Sequence, residues 1–264
     1  MKKYFVIGNP IEHSLSPKLH NFWIKQNNID ASYDKKHLNE NEVEEIIEEV
    51  KKGKINGMNV TVPFKKSIIP FLDKLTPIAD QAQSVNVIFK QNNKIIGDNT
   101  DIGGFENSFK NINYDIKNKK VFILGAGGVV TSIILALEKL GVSKIFLSNR
   151  TKEKAENLKK NYKDIQIVDW GENPDFDVII NATSLGLLPN DQIKLNYNNF
   201  GKNKLFYDVI YNPRKTNFLL KGRELGHKTE NGKMMFIYQA QLAFKIWHNI
   251  LPEINNATIK LLDV

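Results

Sequence analysis

The sequence predicts an α/β protein with two α/β domains, and three observations support this fold class. Strands and helices alternate along most of the 264 residues, the strands are short and almost continuously apolar, and a polar segment at 114–118 separates two such series. Apolar strands that alternate with helices are typical of parallel sheets covered on both faces. We place the domain boundary between residues 102 and 118, and we expect a cleft between the domains, which is the usual place for a small ligand.

In the first series, apolar runs predict strands, and apolar residues at helical spacing predict the helices between them. The strands are Tyr4–Gly8, Ala31–Leu38, Met58–Val62, Ser84–Lys90 and Lys94–Gly97, and the turn at Asn92 and Asn93 predicts that the last two form a hairpin. A first helix opens at Pro17 with Ser16 as its N-cap, because serine caps helices and proline fits the first helical position. A second covers residues 43–50, and a third begins at Phe64 and is interrupted at Pro70.

The second series begins at residue 119 and shows the same alternation. Its predicted strands are Lys120–Leu124, Lys144–Ser148, Ile165–Val168, Asp177–Ala182 and Leu205–Ile210. Helices are predicted at Ser132–Leu140 and Lys152–Tyr162 between these strands. The last long helix carries an apolar stripe from Phe236 to Trp247, which indicates packing in a core rather than a cofactor site.

The composition excludes several classes of protein. With 41% hydrophobic and 25% charged residues the chain can bury a sizeable core, so disorder is excluded as its main state. The apolar stretch at the start ends at Gly8, and no run approaches the length of a membrane helix, so we expect no membrane span or signal peptide. The chain has no cysteine, which excludes disulfides, thiolate nucleophiles and Cys-ligated metals, and a cytoplasmic protein fits best. The five histidines show no metal-binding spacing, so we expect no metal.

The formal charge of +8, from 37 Lys and Arg against 29 Asp and Glu, raises the question of nucleic-acid binding. The lysines are scattered, and most lie in mixed runs such as residues 44–52, which are typical of the solvated face of a helix. We therefore expect no nucleic-acid partner. A positive surface also raises the local concentration of small anionic ligands, and this pattern is compatible with that role.

A glycine-rich segment, Gly125, Ala126, Gly127 and Gly128, lies between a predicted strand and a predicted helix. In this context Gly125 allows a tight turn, Gly127 lets the backbone approach a pyrophosphate, and the amides at the helix N-terminus attract the anion. The alternative is a glycine-rich turn in an α/β protein that binds no nucleotide. We favour a dinucleotide site in a Rossmann-type domain.

The residues after the next strand indicate which dinucleotide is bound. Asn149, Arg150 and Thr151 stand where an NAD-binding protein usually has Asp or Glu for the ribose 2′-hydroxyl. Arg150 can bind a 2′-phosphate through two hydrogen bonds, and Lys154 adds positive charge nearby. NADP is therefore favoured over NAD, although the same residues also suit an ordinary helix start with Thr151 near the cap.

Polar residues that follow strands of the first series suggest a small-molecule site. Ser14 and Ser16 offer two hydroxyls in one loop that can hold a small carboxylate; the alternative is that Ser16 only caps a helix. Asn59 and Thr61 share one side of a predicted strand by period two. Lys65 lies just beyond the end of that strand.

Lys65 is the candidate acid/base residue of the first series. A lysine serves this purpose when its surroundings bring its pKa nearer neutrality or when a carboxylate orients it. The candidate carboxylate is Asp101, which stands at the end of another predicted strand. The alternatives are a surface lysine and a helix-capping aspartate.

Taken together, these motifs resemble the shikimate dehydrogenase family. The matching stretches follow the family's order: Gly8–Ile11, Ser14–Pro17, Asn59–Lys65, Val85–Asn86, Asn99–Asp101, Gly125–Gly128, Asn149–Thr151, Asn181–Ser184 and Gly232–Gln239. They span nearly the whole chain, and an ordered set of this kind is far more specific than any single motif.

The resemblance implies the reversible NADP(H)-dependent reduction of 3-dehydroshikimate to shikimate, a step towards chorismate and the aromatic amino acids. It implies a substrate-binding and catalytic domain at residues 1–101, joined by the C-terminal helices 233–264. An NADP-binding Rossmann domain would occupy residues 102–232. Lys65 would be the acid/base residue, paired with Asp101.

The resemblance also implies the residues that contact the ligands. Ser14 and Ser16 would bind the substrate carboxylate, and the ring oxygens would contact Asn59, Thr61, Asn86, Asp101, Tyr211 and Gln239. The dinucleotide would be held by the glycine-rich segment with Val129 and by Asn149, Arg150, Thr151 and Lys154. On the nicotinamide side the implied residues are Thr183, Ser184, Val209 and Gly232.

Three other functions compete with this interpretation. The first is a quinate/shikimate dehydrogenase that uses NAD; such relatives tend to carry an acidic residue where this chain has Arg150 and Thr151. The second is a non-catalytic NADP-binding regulator, against which the intact Lys65 and Asp101 count. The third is an enzyme with a one-carbon folate substrate, which the two serines of the first loop disfavour. The sequence is compatible with a monomer or a homodimer.

Overall fold

The computed structural model describes residues 1–162, 164–197 and 200–263, which form two structural units. Unit 1 contains Met1–Gly104 together with Ile237–Val264, and unit 2 contains Phe105–Phe236. The unit boundaries fall inside two helices, a few residues after the domain limits of 101 and 232 that the sequence predicted.

Unit 1 contains a six-stranded sheet. Its strands are β1 (Lys2–Gly8), β2 (Ala31–His37), β3 (Gly57–Val60), β4 (Lys74–Leu75), β5 (Val87–Gln91) and β6 (Lys94–Asp98). In the sheet they follow the order β2-β1-β3-β5-β6-β4, and β5 runs antiparallel to both β3 and β6. The hairpin predicted around Asn92 and Asn93 is thus present as β5 and β6, because a two-residue turn is too short for a parallel crossover, and the expected parallel pairing holds for the other side of the sheet, between β2, β1 and β3.

Unit 2 contains a second six-stranded sheet, in which the recorded pairs are all parallel. Its strands are β7 (Lys120–Leu124), β8 (Lys144–Ser148), β9 (Ile165–Ile167), β10 (Val178–Asn181), β11 (Leu205–Asp208) and β12 (Lys228–Glu230). Their order is β12-β11-β10-β7-β8-β9. The chain crosses from β9 on one edge to β10 next to β7, so the carboxyl ends of β7 and β10 lie side by side at the point where the strand order reverses. This position is where open parallel sheets bind ligands.

The described helices connect the strands and complete both units. They are α1 (Ser16–Gln26), α2 (Val43–Lys51), α3 (Phe64–Ser67), α4 (Pro77–Ala82), α5 (Asp101–Asn111), α6 (Val130–Lys139), α7 (Lys152–Asn161), α8 (Asn217–Glu224), α9 (Lys233–His248) and α10 (Asn256–Leu261). Short 3₁₀ turns lie at Glu40–Glu42 and Ile69–Phe71. Among the described residues, none of the helices combines the length and the apolar content needed to cross a membrane.

The start of α1 differs by one residue from the sequence prediction. Its N-cap is Leu15, and Ser16 is already the first helical residue, so the prediction of Ser16 as N-cap was wrong. The physical reason is the position of Ser14, which precedes the N-cap residue. The hydroxyl of Ser14 accepts a hydrogen bond from the Ser16 amide at 3.3 Å, so the loop serine satisfies an amide that the helix itself leaves open.

β3 is shorter than predicted, because it ends at Val60 instead of Val62. The amide of Phe64 donates to the carbonyl of Thr61 at 2.9 Å, which closes a turn directly after the strand. Pro63 has no amide hydrogen and cannot continue a strand ladder. Asn59 therefore lies within the strand, whereas Thr61 lies in the loop that follows it.

Apolar side chains cover the sheets of both units. In unit 1, Ile46 and Val50 of α2 belong to one buried cluster with Met58 and Ile88 of the sheet. In unit 2, the corresponding cluster contains six phenylalanines, among them Phe122, Phe176, Phe206 and Phe218. The faces of the sheets are therefore apolar, and the polar side chains of the candidate site lie at the strand ends and in the loops that follow them.

Candidate active site

A buried ion pair lies beside the sheet of unit 1. The Nζ atom of Lys65 is 2.5 Å from Oδ2 of Asp101, and the two side chains are only 9% and 7% exposed. Lys65 belongs to α3, which follows β3, and Asp101 is the first residue of α5, which follows β6. Removing two charges from water is costly, so a buried pair needs close contact and further hydrogen bonds to persist.

Asn86 supplies the further hydrogen bonds. Its Nδ2 lies 3.0 Å from Oδ1 of Asp101, 2.9 Å from Oγ1 of Thr100 and 3.3 Å from Oε1 of Gln239. Its Oδ1 accepts the amide of Thr100 at 2.7 Å, which fixes the orientation of the Asn86 side chain. Both carboxylate oxygens of Asp101 are thus engaged, one by Lys65 and the other by Asn86, so the carboxylate is held in one orientation.

Asn59 extends this group on the side of β3. Its side chain is buried, and its Nδ2 donates to the backbone carbonyl of Asn86 at 3.0 Å. We call the five connected side chains Asn59, Lys65, Asn86, Asp101 and Gln239 the polar cluster. Four of its five members are buried, and Gln239 of α9 is half-buried. The structure therefore brings together five of the residues for which the sequence predicted a catalytic or substrate-binding role.

The loop that carries Ser14 and Ser16, here called the serine loop, lies at the same edge of the sheet. It follows β1, and Thr61 follows the neighbouring parallel strand β3. The two loops are tied together, because the amide of Asn9 donates to the carbonyl of Val62 and the amide of Thr61 donates to the carbonyl of Ile7. The Ser14 hydroxyl oxygen accepts the Ser16 amide, which leaves its own O–H able to donate to a bound anion.

The glycine-rich segment of unit 2 follows β7 and precedes α6. Gly125 has φ +111°, and a Cβ at this position would lie 2.6 Å from the carbonyl oxygen of Ala182. Gly127 is different, because a Cβ there would have no neighbour within 4 Å. Within the described chain the amides of Ala126 and Gly127 donate to no other residue. Gly125 is thus required by the fold itself, whereas Gly127 leaves open space in front of unused amides.

The residues after β8 form a largely exposed, basic segment. Asn149 donates from Nδ2 to the carbonyl of Thr151 at 2.7 Å, and Thr151 is the N-cap residue of α7, though its side chain makes no capping hydrogen bond. Arg150 and Lys154 are exposed, and neither forms an ion pair within the described residues. The segment therefore presents two cations at the carboxyl end of β8.

A buried carboxylate organises the loops after β10 and β11. Asp208 accepts hydrogen bonds from Oγ1 of Thr216 at 2.6 Å, from Nδ2 of Asn181 at 3.0 Å and from the amide of Ile210 at 3.0 Å. Burial raises the pKa of Asp208 to about 6 despite these hydrogen bonds, which favour the charged form. The side-chain Oδ1 of Asn181 in turn accepts both the amide and the hydroxyl of Thr183, so the loop after β10 is fixed through Asp208.

Five predicted residues lie in loops of unit 2, namely Thr183, Ser184, Val209, Tyr211 and Gly232. Thr183 is half-buried and Ser184 is exposed. A Cβ on Gly232 would lie 2.0 Å from the carbonyl oxygen of Val209, so only glycine fits there. Tyr211, for which the sequence predicted a substrate contact, also lies in unit 2, and its ring stacks on Phe236 with a centroid distance of 4.3 Å.

Comparison with known proteins identifies the family. The model of the shikimate dehydrogenase substrate binding domain matches residues 6–88, and the shikimate / quinate 5-dehydrogenase model matches residues 107–218. The shikimate dehydrogenase (NADP(+)) of Pelagibacter ubique (strain HTCC1062) is 60% identical over 265 residues, which cover all of both chains. This chain belongs to the shikimate dehydrogenase family. The resemblance inferred from the motifs is therefore confirmed.

Solved structures of shikimate dehydrogenases have the same fold. The enzyme from Aquifex aeolicus superposes with a TM-score of 0.92 at 37% identity, covering 100% of this chain and 97% of that one. The enzyme from Thermus thermophilus, crystallised with NADP(H) and shikimate, superposes with a TM-score of 0.91 at 28% identity, covering 100% and 99%. The predicted fold class of two α/β domains is thus confirmed by members of the shikimate dehydrogenase family.

Some polar residues of this shikimate dehydrogenase family member were not predicted as functional. Asn181, Asp208 and Thr216 hold the loops of unit 2, and Tyr33 contacts the polar cluster from β2. Asn181 and Asp208 could have been recognised from the sequence, because each is a polar residue at the end of an otherwise apolar strand. Outside residues 163, 198, 199 and 264, no group of three or more metal-binding side chains occurs.

Proposed function

We propose that this chain catalyses the reversible reduction of 3-dehydroshikimate to shikimate with NADPH. The observation that carries the proposal is the buried pair of Lys65 and Asp101, found in a chain of the shikimate dehydrogenase family. Replacing a buried ion pair by well-packed apolar residues is often neutral or stabilising, so stability alone does not account for a buried pair at a polar sheet edge, and a chemical role is favoured. The family membership supplies the class of reaction.

Lys65 acts as the acid/base residue. In shikimate oxidation its Nζ, as a neutral amine, accepts the proton of the reacting hydroxyl and becomes an ammonium group, and in the reverse direction this ammonium group donates the proton to the carbonyl oxygen. Asp101 holds the ammonium group in place at 2.5 Å, and Asn86 holds Asp101 through its other oxygen. When bound, NADP supplies the nicotinamide that exchanges the hydride, and the protein supplies position and charge.

The remaining unit 1 residues bind the substrate. Ser14 and Ser16 bind the carboxylate: the Ser14 hydroxyl oxygen accepts the Ser16 amide at the start of α1 and keeps its own O–H as a donor. The ring oxygens contact Asn59, Thr61, Asn86, Asp101 and Gln239, with Tyr211 as a further contact. Four of these six side chains already belong to the polar cluster, which supports a preorganised substrate site.

The unit 2 residues fit a dinucleotide. The open space at Gly127 and the unused amides of Ala126 and Gly127 suit a pyrophosphate, with Gly128 and Val129 completing the loop before α6. Arg150, with Asn149, Thr151 and Lys154 beside it, suits the 2′-phosphate that distinguishes NADP from NAD. Thr183, Ser184, Val209 and Gly232 line the nicotinamide side.

Alanine substitutions at Gly125 and Gly127 are expected to have different effects. Gly125→Ala places a Cβ against the Ala182 carbonyl in a left-handed conformation, so it lowers the free energy of unfolding by roughly 1–3 kcal/mol. Gly127→Ala meets no neighbour, so stability stays within about 0.5 kcal/mol of wild type, while NADP⁺ binding weakens roughly tenfold. Thermal melting and titration with NADP⁺ measure the two effects. Unchanged NADP⁺ affinity in Gly127→Ala would show that the pyrophosphate does not bind at this loop.

Arg150 is expected to determine the preference for NADP. Arg150→Ala should weaken NADP⁺ binding by roughly 10- to 100-fold, with little effect on NAD⁺ binding. This factor corresponds to the free energy of charge-assisted hydrogen bonds to a phosphate. Lys152→Ala is the matched control, because Lys152 is an exposed neighbour that already pairs with Asp169 at 2.6 Å. KM values for both cofactors provide the readout. Equal losses for NADP⁺ and NAD⁺ would show that Arg150 does not contact the 2′-phosphate.

We further propose that the enzyme works in the cytoplasm as a monomer or homodimer. Its partner is the small-molecule substrate, and it binds neither nucleic acid nor a membrane. The members of the polar cluster contact one another within a single chain. Light scattering coupled to size exclusion measures the oligomeric state.

The reaction itself is tested by product identification. The purified chain is incubated with 3-dehydroshikimate and NADPH, and the mixture is separated by chromatography and analysed by mass spectrometry. We expect one shikimate to form for each NADPH consumed. NADPH that persists in the presence of folded protein, or a product other than shikimate, would reject the proposed reaction.

A further inference from the structure

Tyr33 contacts the polar cluster from a strand that carries no other member of it. Tyr33 lies on β2, it is 3% exposed, and its hydroxyl donates to Oδ1 of Asn59 at 2.6 Å. We propose that Tyr33 is a positioning residue, whose hydroxyl turns the amide of Asn59 so that an N–H group faces the substrate. This inference rests on the proposed function, because Asn59 is taken as a substrate contact.

The hydrogen bonds of Asn59 determine which way its amide points. The carbonyl of Asn86 can only accept a hydrogen bond, so the group of Asn59 that faces it at 3.0 Å must be the NH₂ group. Oδ1 of Asn59 then faces Tyr33, and the tyrosine hydroxyl must be the donor in that contact. One N–H of Asn59 is used by Asn86, and the other remains for a ligand. Asn59 therefore has one N–H donor left for the substrate.

The position of the tyrosine hydroxyl is set independently of Asn59. Tyr33 lies on β2 and Asn59 on β3, and β1 runs between the two strands, so the tyrosine side chain spans one strand. Asn21 of α1 holds the backbone of Tyr33 on both sides, because it accepts the amide at 3.0 Å and donates to the carbonyl at 2.7 Å.

The ring of Tyr33 is fixed in the same way. It stacks on the ring of His20, with a centroid distance of 4.2 Å and an angle of 4° between the planes. Both residues are buried, and Trp247 lies beside them. A hydroxyl fixed at both the backbone and the ring can orient the amide that it contacts, whereas a mobile one would follow that amide.

The consequence for catalysis lies in substrate binding. Without the tyrosine hydroxyl, Oδ1 of Asn59 loses its donor and the amide keeps only the anchor at Asn86. The free N–H is then no longer held towards the substrate. Loss of one neutral hydrogen bond corresponds to a roughly 3- to 10-fold change in affinity. We expect KM for shikimate to rise by this factor in Tyr33→Phe, with kcat and the KM for NADP⁺ nearly unchanged.

The test is a double-mutant cycle with a matched control. Tyr33→Phe is measured in the wild-type background and in Asn59→Ala, and Tyr4→Phe serves as control. Tyr4 is the β1 residue in register with Tyr33, it is equally buried, and it lies in the same aromatic group, beside Trp247. We expect Tyr33→Phe to raise KM only where Asn59 is present, and we expect Tyr4→Phe to leave KM unchanged. A similar effect in both backgrounds would overturn the positioning role, because Tyr33 would then act by another route.

A second variant keeps the proposal testable if Tyr33→Phe fails to fold. Asn59→Asp preserves the shape of the side chain but replaces the N–H donor by an acceptor, so we expect KM for shikimate to rise at least as much as in Tyr33→Phe. An unchanged KM in folded Asn59→Asp would overturn the proposal. Wild-type protein that does not oxidise shikimate would reject the proposed function, whereas active wild-type protein with an additive cycle would reject only the role of Tyr33.

Discussion

Lys65→Ala is expected to lower kcat for shikimate oxidation by roughly 10²- to 10⁴-fold, with little change in KM. The variant removes the group that accepts the hydroxyl proton, and this interaction develops mainly in the transition state. Substrate binding is retained, because the serine loop and the other members of the polar cluster remain. Steady-state rates with shikimate and NADP⁺ measure both constants.

Lys66→Ala is the matched control for Lys65→Ala. Lys66 is the next residue of α3, it carries the same charge, and it is exposed. Its loss should leave kcat near the wild-type value. Because Lys65→Ala also leaves Asp101 buried without its cation, melting temperatures of both variants are needed to separate misfolding from lost chemistry. Near-normal kcat in folded Lys65→Ala would reject the acid/base assignment.

Acid is expected to destabilise the protein through His20. Burial lowers the pKa of His20 to about 3, so the native state keeps this imidazole neutral where the unfolded chain protonates it. The unfolded state then binds one more proton at any pH between the two pKa values, and stability falls as the pH falls below about 6.5. Lowering the pH from about 8 to about 5 should cost about 2 kcal/mol through this residue alone.

The measurement compares urea unfolding of the wild type and His20→Leu across this pH range. Leucine has a similar volume and no titratable group, so the variant should lack the contribution of about 2 kcal/mol to the pH dependence. His248, a nearby half-buried imidazole, titrates in the same direction but remains in both proteins. His13→Leu is the control, because His13 is exposed. Equal pH dependence in the wild type and His20→Leu would contradict the account.

The sequence predicted most strands well but missed two of the four edge strands. β7 and β8 have the predicted bounds, because each is a continuous apolar run buried on both faces. β4 and β12 were not predicted, since the first has two residues and the second, Lys228–Glu230, is polar. Such strands are defined by the neighbour that they pair with, and hydrophobic periodicity does not report on that neighbour.

The candidate site shows the same difference between local and long-range information. Spacing and residue type were enough to propose Lys65 with Asp101, although 36 positions separate them. The orientation of Asn59 by Tyr33 could not be predicted, because it depends on the strand order β2-β1-β3 and on which face each side chain takes. The role of Asp208 was missed for a similar reason, since its partners Asn181 and Thr216 meet only in the folded unit.

The most direct test of the account is the rate of nicotinamide reduction with four substrate and cofactor pairs. Shikimate and quinate are each combined with NADP⁺ and NAD⁺, and the absorbance of the reduced cofactor is followed. We predict fast reduction with shikimate and NADP⁺ and much slower reduction in the other three mixtures. Preference for quinate or NAD⁺ would contradict the assigned specificity and favour a quinate/shikimate dehydrogenase. No reduction in any mixture, from protein that still binds NADP⁺, would contradict catalysis itself and favour a regulator.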